Sequence, residues 1–348
     1  MNLFKKSLAL LLALLLTLSL AGCGQKAQET AEEPGTPEAE APVTPETDPD
    51  PEYTFRVAAL KGPTAMGMVR MMALTETASA GYNHLYTLAA AADEVTPALI
   101  KGDLDMACVP ANLAATLYQK TEGEIVTLAV NTLGVIYIVE NGNAVASMAD
   151  LAGQTIVAAG KGSTPEYALR YLLSENGVDP DTDVIIDWKS EHSECVSALA
   201  TGAATIALLP QPFVTVAQGK IESLRVALDL TEEWDALDNG SGLITGVVVA
   251  RKAFVEEHPA ALEAFLEEYA DSVAWVNENP ADAAQLVVDY GILESAAVAE
   301  KALPYCNIVC ITGEEMKEKL SGYLQVLFDA EPASVGGALP EDGFYYGA

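Results

Sequence analysis

Two stretches decide the fold: "IKGDLDMACVP", Ile100 to Pro110, and "LATGAATIALLP", Leu199 to Pro210. Each leaves a helical pattern at a glycine, crosses a short turn and enters an apolar run that stops at a proline. Glycine takes the left-handed conformation that closes helices, and proline has no N–H to continue a strand ladder. Both stretches therefore read as helix, turn and buried strand.

The surroundings repeat the order. In the first half "YTFRVAAL" is strand-like and helical spacing runs from about Thr64 to Ser79. There follow a strand "HLYTLAA", a helix ending at Gly102, the strand "MACVP", the helix "ANLAATLYQK", and the strands "IVTLAVNT" and "GVIYIVE". The second half gives a short helix and strand in "SMADLAGQTIVAA", a helix closed by Gly177, the strand "DVIIDW", a helix ending at Gly202, and the strand "TIALLP". A helix "QPFVTVAQGK" and the extended runs "LRVALDL" and "GLITGVVVARKAF" complete it, and from Pro259 onward the pattern is mainly helical. Strands separated by helices of this length predict an α/β fold of βαβ units with mostly parallel sheets. The two series form an internal structural echo rather than a tandem repeat.

The chain opens with "MNLFKKSLALLLALLLTLSLAGC", which places Lys5 and Lys6 before an apolar run and closes on small residues. That is the layout of a secretory signal, expected over residues 1–22. Leu20-Ala21-Gly22-Cys23 resembles a bacterial lipobox, which implies acylation of Cys23 and an extracytoplasmic, membrane-anchored protein. Residues 23–52 continue as an acidic, proline-rich segment that cannot bury a core and reads as a disordered tether. As a coil it would hold the domain on the order of 30 Å from the bilayer. The roughly 300 residues beyond it exceed what one hydrophobic core usually fills, so two lobes are expected.

The formal charge of −32 argues against nucleic acid or an anionic membrane surface as a partner, since both require basic patches. Cys108, Cys195, Cys306 and Cys310 match no disulfide or zinc spacing, and buried free thiols are expected, with Cys306 and Cys310 the only pair near enough in sequence to suspect. The histidines, His84, His192 and His258, lie outside the strand-end turns, and no catalytic motif, metal site or cofactor is expected.

Two turns stand out as places for a ligand. Lys61-Gly62-Pro63-Thr64 and Gly160-Lys161-Gly162-Ser163-Thr164-Pro165 each lead a strand into a helix whose first N–H groups suit an anion. As ordinary connections they would need no ligand; at equivalent places in two series they predict facing sides of a cleft. "GPTAMGMVR" lacks the ending of a nucleotide-binding P-loop. Asn112, Thr132 and Gln211 each follow or end a buried-looking strand, although Asn112 could equally be a helix cap. Of Met66, Met68, Met71 and Met72, only Met66 is expected at the cleft. Trp188 and Tyr305 are aromatic side chains that could stack on a ligand, but core or surface positions suit each of them better.

"KGDLDMACVPAN", "ADLAGQTI", "GSTPEYALRYLLSENGVDP", "ALLPQPFVT" and "HPAALEAFLEEYADSVAWVNENPADAAQLV" follow one another as in ABC-transporter substrate-binding lipoproteins. The chain is similar to the group for nitrate, sulfonate, taurine and thiamine-pyrimidine precursors. The resemblance implies a two-lobed periplasmic-binding-protein type II fold with two hinge crossovers. Lobe one would hold residues 53–139 and 245–348, and lobe two residues 140–244. "GVIYIVE" and "LITGVVVA" are the hinge candidates. It also implies that strand-end loops line the pocket, giving Thr64, Ala65, Met66, Asn112, Thr132, Gly162, Ser163, Thr164 and Gln211 as ligand-binding candidates. The expected protein is a monomer that binds a small molecule and delivers it to an ABC permease and ATPase. Two alternatives remain: an enzyme on the same fold, of pyrimidine-synthase or dehydratase type, and an extracytoplasmic sensor subunit.

Overall fold

The computed structural model describes residues 53–77 and 82–348. The expected signal, Cys23 and the tether lie outside the described residues, as does Ser79 at the end of the first expected helix.

Eleven strands are described: β1 (Thr54–Leu60), β2 (Asn83–Ala89), β3 (Met106–Pro110), β4 (Ile125–Leu133), β5 (Ile136–Glu140), β6 (Thr155–Ala158), β7 (Ile185–Trp188), β8 (Ile206–Pro210), β9 (Arg225–Asp229), β10 (Ile244–Arg251) and β11 (Ile308–Ile311). They form two sheets, ordered β11-β4-β10-β3-β1-β2 and β7-β6-β8-β5-β9. Read from opposite ends the two orders correspond: β2, β1, β3, β10 and β4 stand where β7, β6, β8, β5 and β9 stand. The repeated stretches "MACVP" and "TIALLP" become β3 and β8, the third strands of the two sheets. Their terminal prolines are placed alike, Pro110 opposite Gly246 of β10 and Pro210 opposite Ile136 of β5.

The expectation of mostly parallel sheets needs correction. β1 pairs in parallel with β2 and β3, and β6 with β7 and β8. The pairings of β10 with β3 and β4, of β11 with β4, and of β5 with β8 and β9 are antiparallel. The reason is topological: β5 and β10 each enter a sheet from the other one, so they run against the strands already there. The chain changes sheets at Gly134–Val135, and returns between Asp229 and Ile244. The boundary expected after Val139 therefore falls inside β5, all of which pairs in the second sheet, and that after Ile244 falls at the first residue of β10.

Side chains alternate across each strand, and the cores follow. Ala107 and Val109 of β3 face one cluster while Met106 and Cys108 face another; in β5, Ile136 and Ile138 part from Tyr137 and Val139. The first cluster runs through both sheets and includes Trp234 and Tyr323, so the lobes share a continuous apolar junction. Both faces of β3 and β4 are covered, and every residue of each but the last is buried.

Two local departures have identifiable causes. The expected helix from Thr64 divides into Pro63–Met66 and Val69–Glu76. Ser272 is inserted between them: its hydroxyl donates to the Gly67 carbonyl at 2.7 Å and accepts the Met71 N–H at 3.2 Å, replacing the helical bond those groups would share. β11 interrupts the helical C-terminal region because its short apolar run meets the free edge of β4.

At the far end of the first sheet, Asp105 is fully buried and accepts from the Arg56 backbone and guanidinium and from Arg251, at 3.1 Å. It joins β1, the start of β3 and the end of β10. Cys108, Cys195 and Cys306 are buried free thiols, and Cys310 is a half-buried one. Among the described residues no helix is long and apolar enough to cross a membrane.

Candidate functional site

The turns after β1 and β6 fold by the same local rule. Gly62 has φ 139°, and Gly160 and Gly162 have φ 86° and 77°, values that favour glycine. Each turn then closes through a hydroxyl: Thr64 donates to the Leu60 carbonyl at 2.9 Å, and Ser163 to the Gly160 carbonyl at 2.8 Å. These turns open the helices Pro63–Met66 and Thr164–Glu175.

The direct bridge between the sheets is built by Asn112 rather than by these two hydroxyls. Asn112 lies in the first turn of the helix Ala111–Lys120, which follows β3, and its side chain makes no cap. Its Nδ2 donates to the Ser334 carbonyl at 3.1 Å and to the Gly162 carbonyl at 3.4 Å, while its Oδ1 accepts from the Thr164 hydroxyl at 3.4 Å. Asn112 and Thr164 are almost wholly buried. Burial raises the pKa of the Tyr323 hydroxyl, and the approach of that hydroxyl to Thr164 opposes the rise.

A second group forms where β4 and β10 end. Thr132 donates to Asn131 Oδ1 at 3.0 Å, and Asn131 Nδ2 reaches the Thr64 carbonyl at 3.5 Å. Gly246 has no side chain because there is no room for one: a Cβ would stand 2.5 Å from Asn131 Oδ1 and 2.7 Å from Thr64 Cγ2. Thr64, Asn131, Thr132 and Gly246 thus share one corner at the ends of the central strands.

The remaining candidates are placed differently. Ala65 and Met66 have no exposed surface and belong to the core beneath the first sheet, together with Met68, Met71 and Met72. Gly162 is exposed, but its N–H already donates to Glu166 Oε2 at 2.6 Å. Gln211 is buried; its Oε1 accepts from the Thr215 hydroxyl at 2.9 Å, and its backbone N–H bonds Val135 of the crossing segment. Trp188 packs against the first core cluster. Burial lowers the pKa of His84 and His192 to about 4, which keeps both neutral.

Gln211 also lines a cavity of about 560 Å3 with Tyr137, Val214, Val226, Lys301 and Tyr305. Tyr137, Gln211, Val214 and Val226 belong to the second sheet and its helix; Lys301 and Tyr305 come from the segment that leads to β11. The cavity therefore lies between the second sheet with its helix and that segment. Tyr137 and Val226 carried no sequence signal beyond strand alternation, and Asn131 was legible only as the neighbour of Thr132. Glu166 was hidden by its ordinary position in a helical first turn.

Two α/β sheets with exchanged strands and strand-end loops meeting across a junction define the two-lobed periplasmic-binding-protein class. Solved structures share this fold. An ABC transporter from Parabacteroides distasonis is 24% identical with a TM-score of 0.71, covering 84% of this chain and 98% of that one. The alkanesulfonate-binding protein SsuA from Xanthomonas axonopodis pv. citri bound to MOPS is 16% identical with a TM-score of 0.64, over 85% and 96%. The periplasmic aliphatic sulphonate binding protein SsuA from Escherichia coli is 17% identical with a TM-score of 0.65, over 83% and 92%. No curated protein matches the chain. Residues 73–294 match the family of the ABC-transporter phosphonate periplasmic substrate-binding protein, and the chain belongs to that family. Membership in the ABC-transporter substrate-binding proteins agrees with the resemblance seen in the sequence; the matching branch is the phosphonate one.

Proposed function

We propose that the chain is the ligand-binding subunit of an ABC importer for a small organic oxyanion of phosphonate or sulfonate type. The lobes are built on the two sheets, hinge at Gly134–Val135 and between Asp229 and Ile244, and close on the ligand. Closure is driven by the ligand's better affinity for the closed arrangement. The observation that carries this reading is the Asn112 bridge, which joins the helix after β3 in one lobe to the turn after β6 in the other. Open α/β sheets take ligands at such strand ends, and the family description and the structural relatives favour an oxyanion. Thr64, Thr132, Ser163, Thr164 and Gln211 surround it, with Asn112 coupling its arrival to closure; Ala65 and Met66 support the turn from the core.

The chemistry is reversible binding rather than turnover. The protein acts as a monomer outside the cytoplasm, held to the membrane by acylated Cys23, and hands its ligand to the permease and ATPase. Incorporation of labelled fatty acid, lost in Cys23→Ala, tests the anchor.

A thermal-shift series on the full chain with methylphosphonate, ethanesulfonate and nitrate tests the central reading. A ligand at 100-fold its Kd stabilises by about 2.7 kcal/mol, and at least one oxyanion is expected to do so. No shift with any of them, or chemical conversion of a binder, would overturn it.

A further inference from the structure

The cavity at Gln211, about 560 Å3, has the size of an organic-ligand pocket, and two buried polar side chains line it. Gln211 is 5% exposed and Tyr137 8%. Gln211 Oε1 accepts from the Thr215 hydroxyl at 2.9 Å and from the Thr215 backbone N–H at 3.4 Å. A backbone N–H can only donate, so these bonds fix which way the amide points and leave its Nε2 to the cavity. Among the described residues neither that Nε2 nor the Tyr137 hydroxyl has a hydrogen-bond partner. Buried polar groups without partners cost free energy, and a ligand in the cavity would supply them.

The charges and apolar surface around these two groups define the ligand. Asp229 stands opposite Tyr137 in the pairing of β5 with β9, which puts both side chains on one face. Its Oδ1 accepts the Thr231 N–H at 2.9 Å, and Oδ2 is left for another donor. Burial, and then the Asp229 charge, raise the pKa of the Tyr137 hydroxyl, which stays protonated and able to donate. Lys301, on the facing segment, is exposed and forms no ion pair among the described residues. Val214, Val226 and Tyr305 add apolar surface, the last two exposed by 39% and 60%.

We propose that this cavity is a second ligand site, for an amino acid with an apolar side chain. Asp229 takes its ammonium, Lys301 and Gln211 Nε2 take its carboxylate, and Val214, Val226 and Tyr305 cover its side chain. Neither Asn112 nor any residue of the turn at 160–165 lines the cavity. The site is therefore separate from the proposed oxyanion site, and Gln211 is the one residue assigned to both. The inference does not rest on the oxyanion reading.

Calorimetric titration of the full chain in detergent tests it with L-phenylalanine, with hydrocinnamate, which lacks the ammonium, and with phenethylamine, which lacks the carboxylate. L-Phenylalanine is expected to bind at least about ten-fold more tightly than either, and methylphosphonate should not displace it. Asp229→Asn should erase the advantage over hydrocinnamate, and Lys301→Gln the advantage over phenethylamine. Asparagine can still cap Thr231 and Lys301 is exposed, so an unchanged Tm is the expected control. No binding of L-phenylalanine, equal affinity for the three compounds, or advantages that survive both substitutions would overturn the inference. Competitive displacement by methylphosphonate would overturn it as well, by placing both ligands in one site.

Discussion

Asn112 and Thr164, on helices that follow strands of different sheets, are joined by a hydrogen bond from the Thr164 hydroxyl to Asn112 Oδ1 at 3.4 Å. The same amide donates to the Ser334 and Gly162 carbonyls. One side chain therefore ties the two halves of the internal echo to each other and to the C-terminal segment.

Asn112→Ala leaves the buried Ser334 carbonyl and Thr164 hydroxyl without this partner. The expected loss is about 1–3 kcal/mol, measured by urea unfolding, together with weaker ligand-induced stabilisation. Asn112→Asp removes both donated bonds and should weaken an oxyanion further by like charge.

Gly246→Ala forces a Cβ against Asn131 and Thr64. Overpacking of this kind costs about 1–3 kcal/mol, and here it also disturbs the candidate corner. Gly219→Ala is the contrasting case. Gly219 lies in the helix Phe213–Lys220, and nothing stands within 4 Å of an added Cβ. It should stabilise by about 0.5–1 kcal/mol; paired thermal melts give both values.

Burial alone would raise the Asp105 carboxyl, but its bonds to Arg56 and Arg251 outweigh that and hold the pKa below the usual 3.8. A depressed folded-state pKa stabilises above the unfolded value and loses that contribution as pH falls through the folded one. Asp105→Asn is therefore expected to destabilise at pH 7 and to flatten the decline of stability below about pH 4. The arginines stay partly in solvent, so about 3 kcal/mol, the lower end for a broken buried pair, is expected. Unfolding curves across pH 2–7 check the slope.

What the sequence showed of this fold came from punctuation and periodicity. Glycines such as Gly102 and Gly202, and the terminal prolines of β3 and β8, marked element ends that depend on local backbone geometry alone. The antiparallel pairings were not legible, because strand direction is set by where β5 and β10 cross between sheets. Nor was the helix break at Gly67, whose cause is Ser272, distant in sequence. Of the proposed site residues, Thr164 and Gln211 could be named from their places after strands. Met66 was misplaced because spacing does not tell a first-turn residue facing the core from one facing the cleft. Tyr305 could be named as an aromatic but not brought to Val226 without the tertiary packing.

The Glu166 carboxylate accepts the Gly162 N–H beside Ser163 and Thr164, so at the proposed site it would compete with an oxyanion. Glu166→Gln is therefore expected to tighten oxyanion binding several-fold by removing a competing charge. With a formal charge of −32, the approach of an anion is opposed at long range, so association should quicken as salt rises, the reverse of electrostatic steering. Stopped-flow titration across ionic strength measures both effects.

Ligand-driven closure is tested most directly by the distance between spin labels at Lys61→Cys and Lys161→Cys, both exposed and one on each strand-to-helix turn. With an oxyanion that calorimetry shows to be bound, the distance distribution should shorten and narrow towards the arrangement in which Asn112 meets Thr164. An unchanged distribution at saturating ligand would contradict the account.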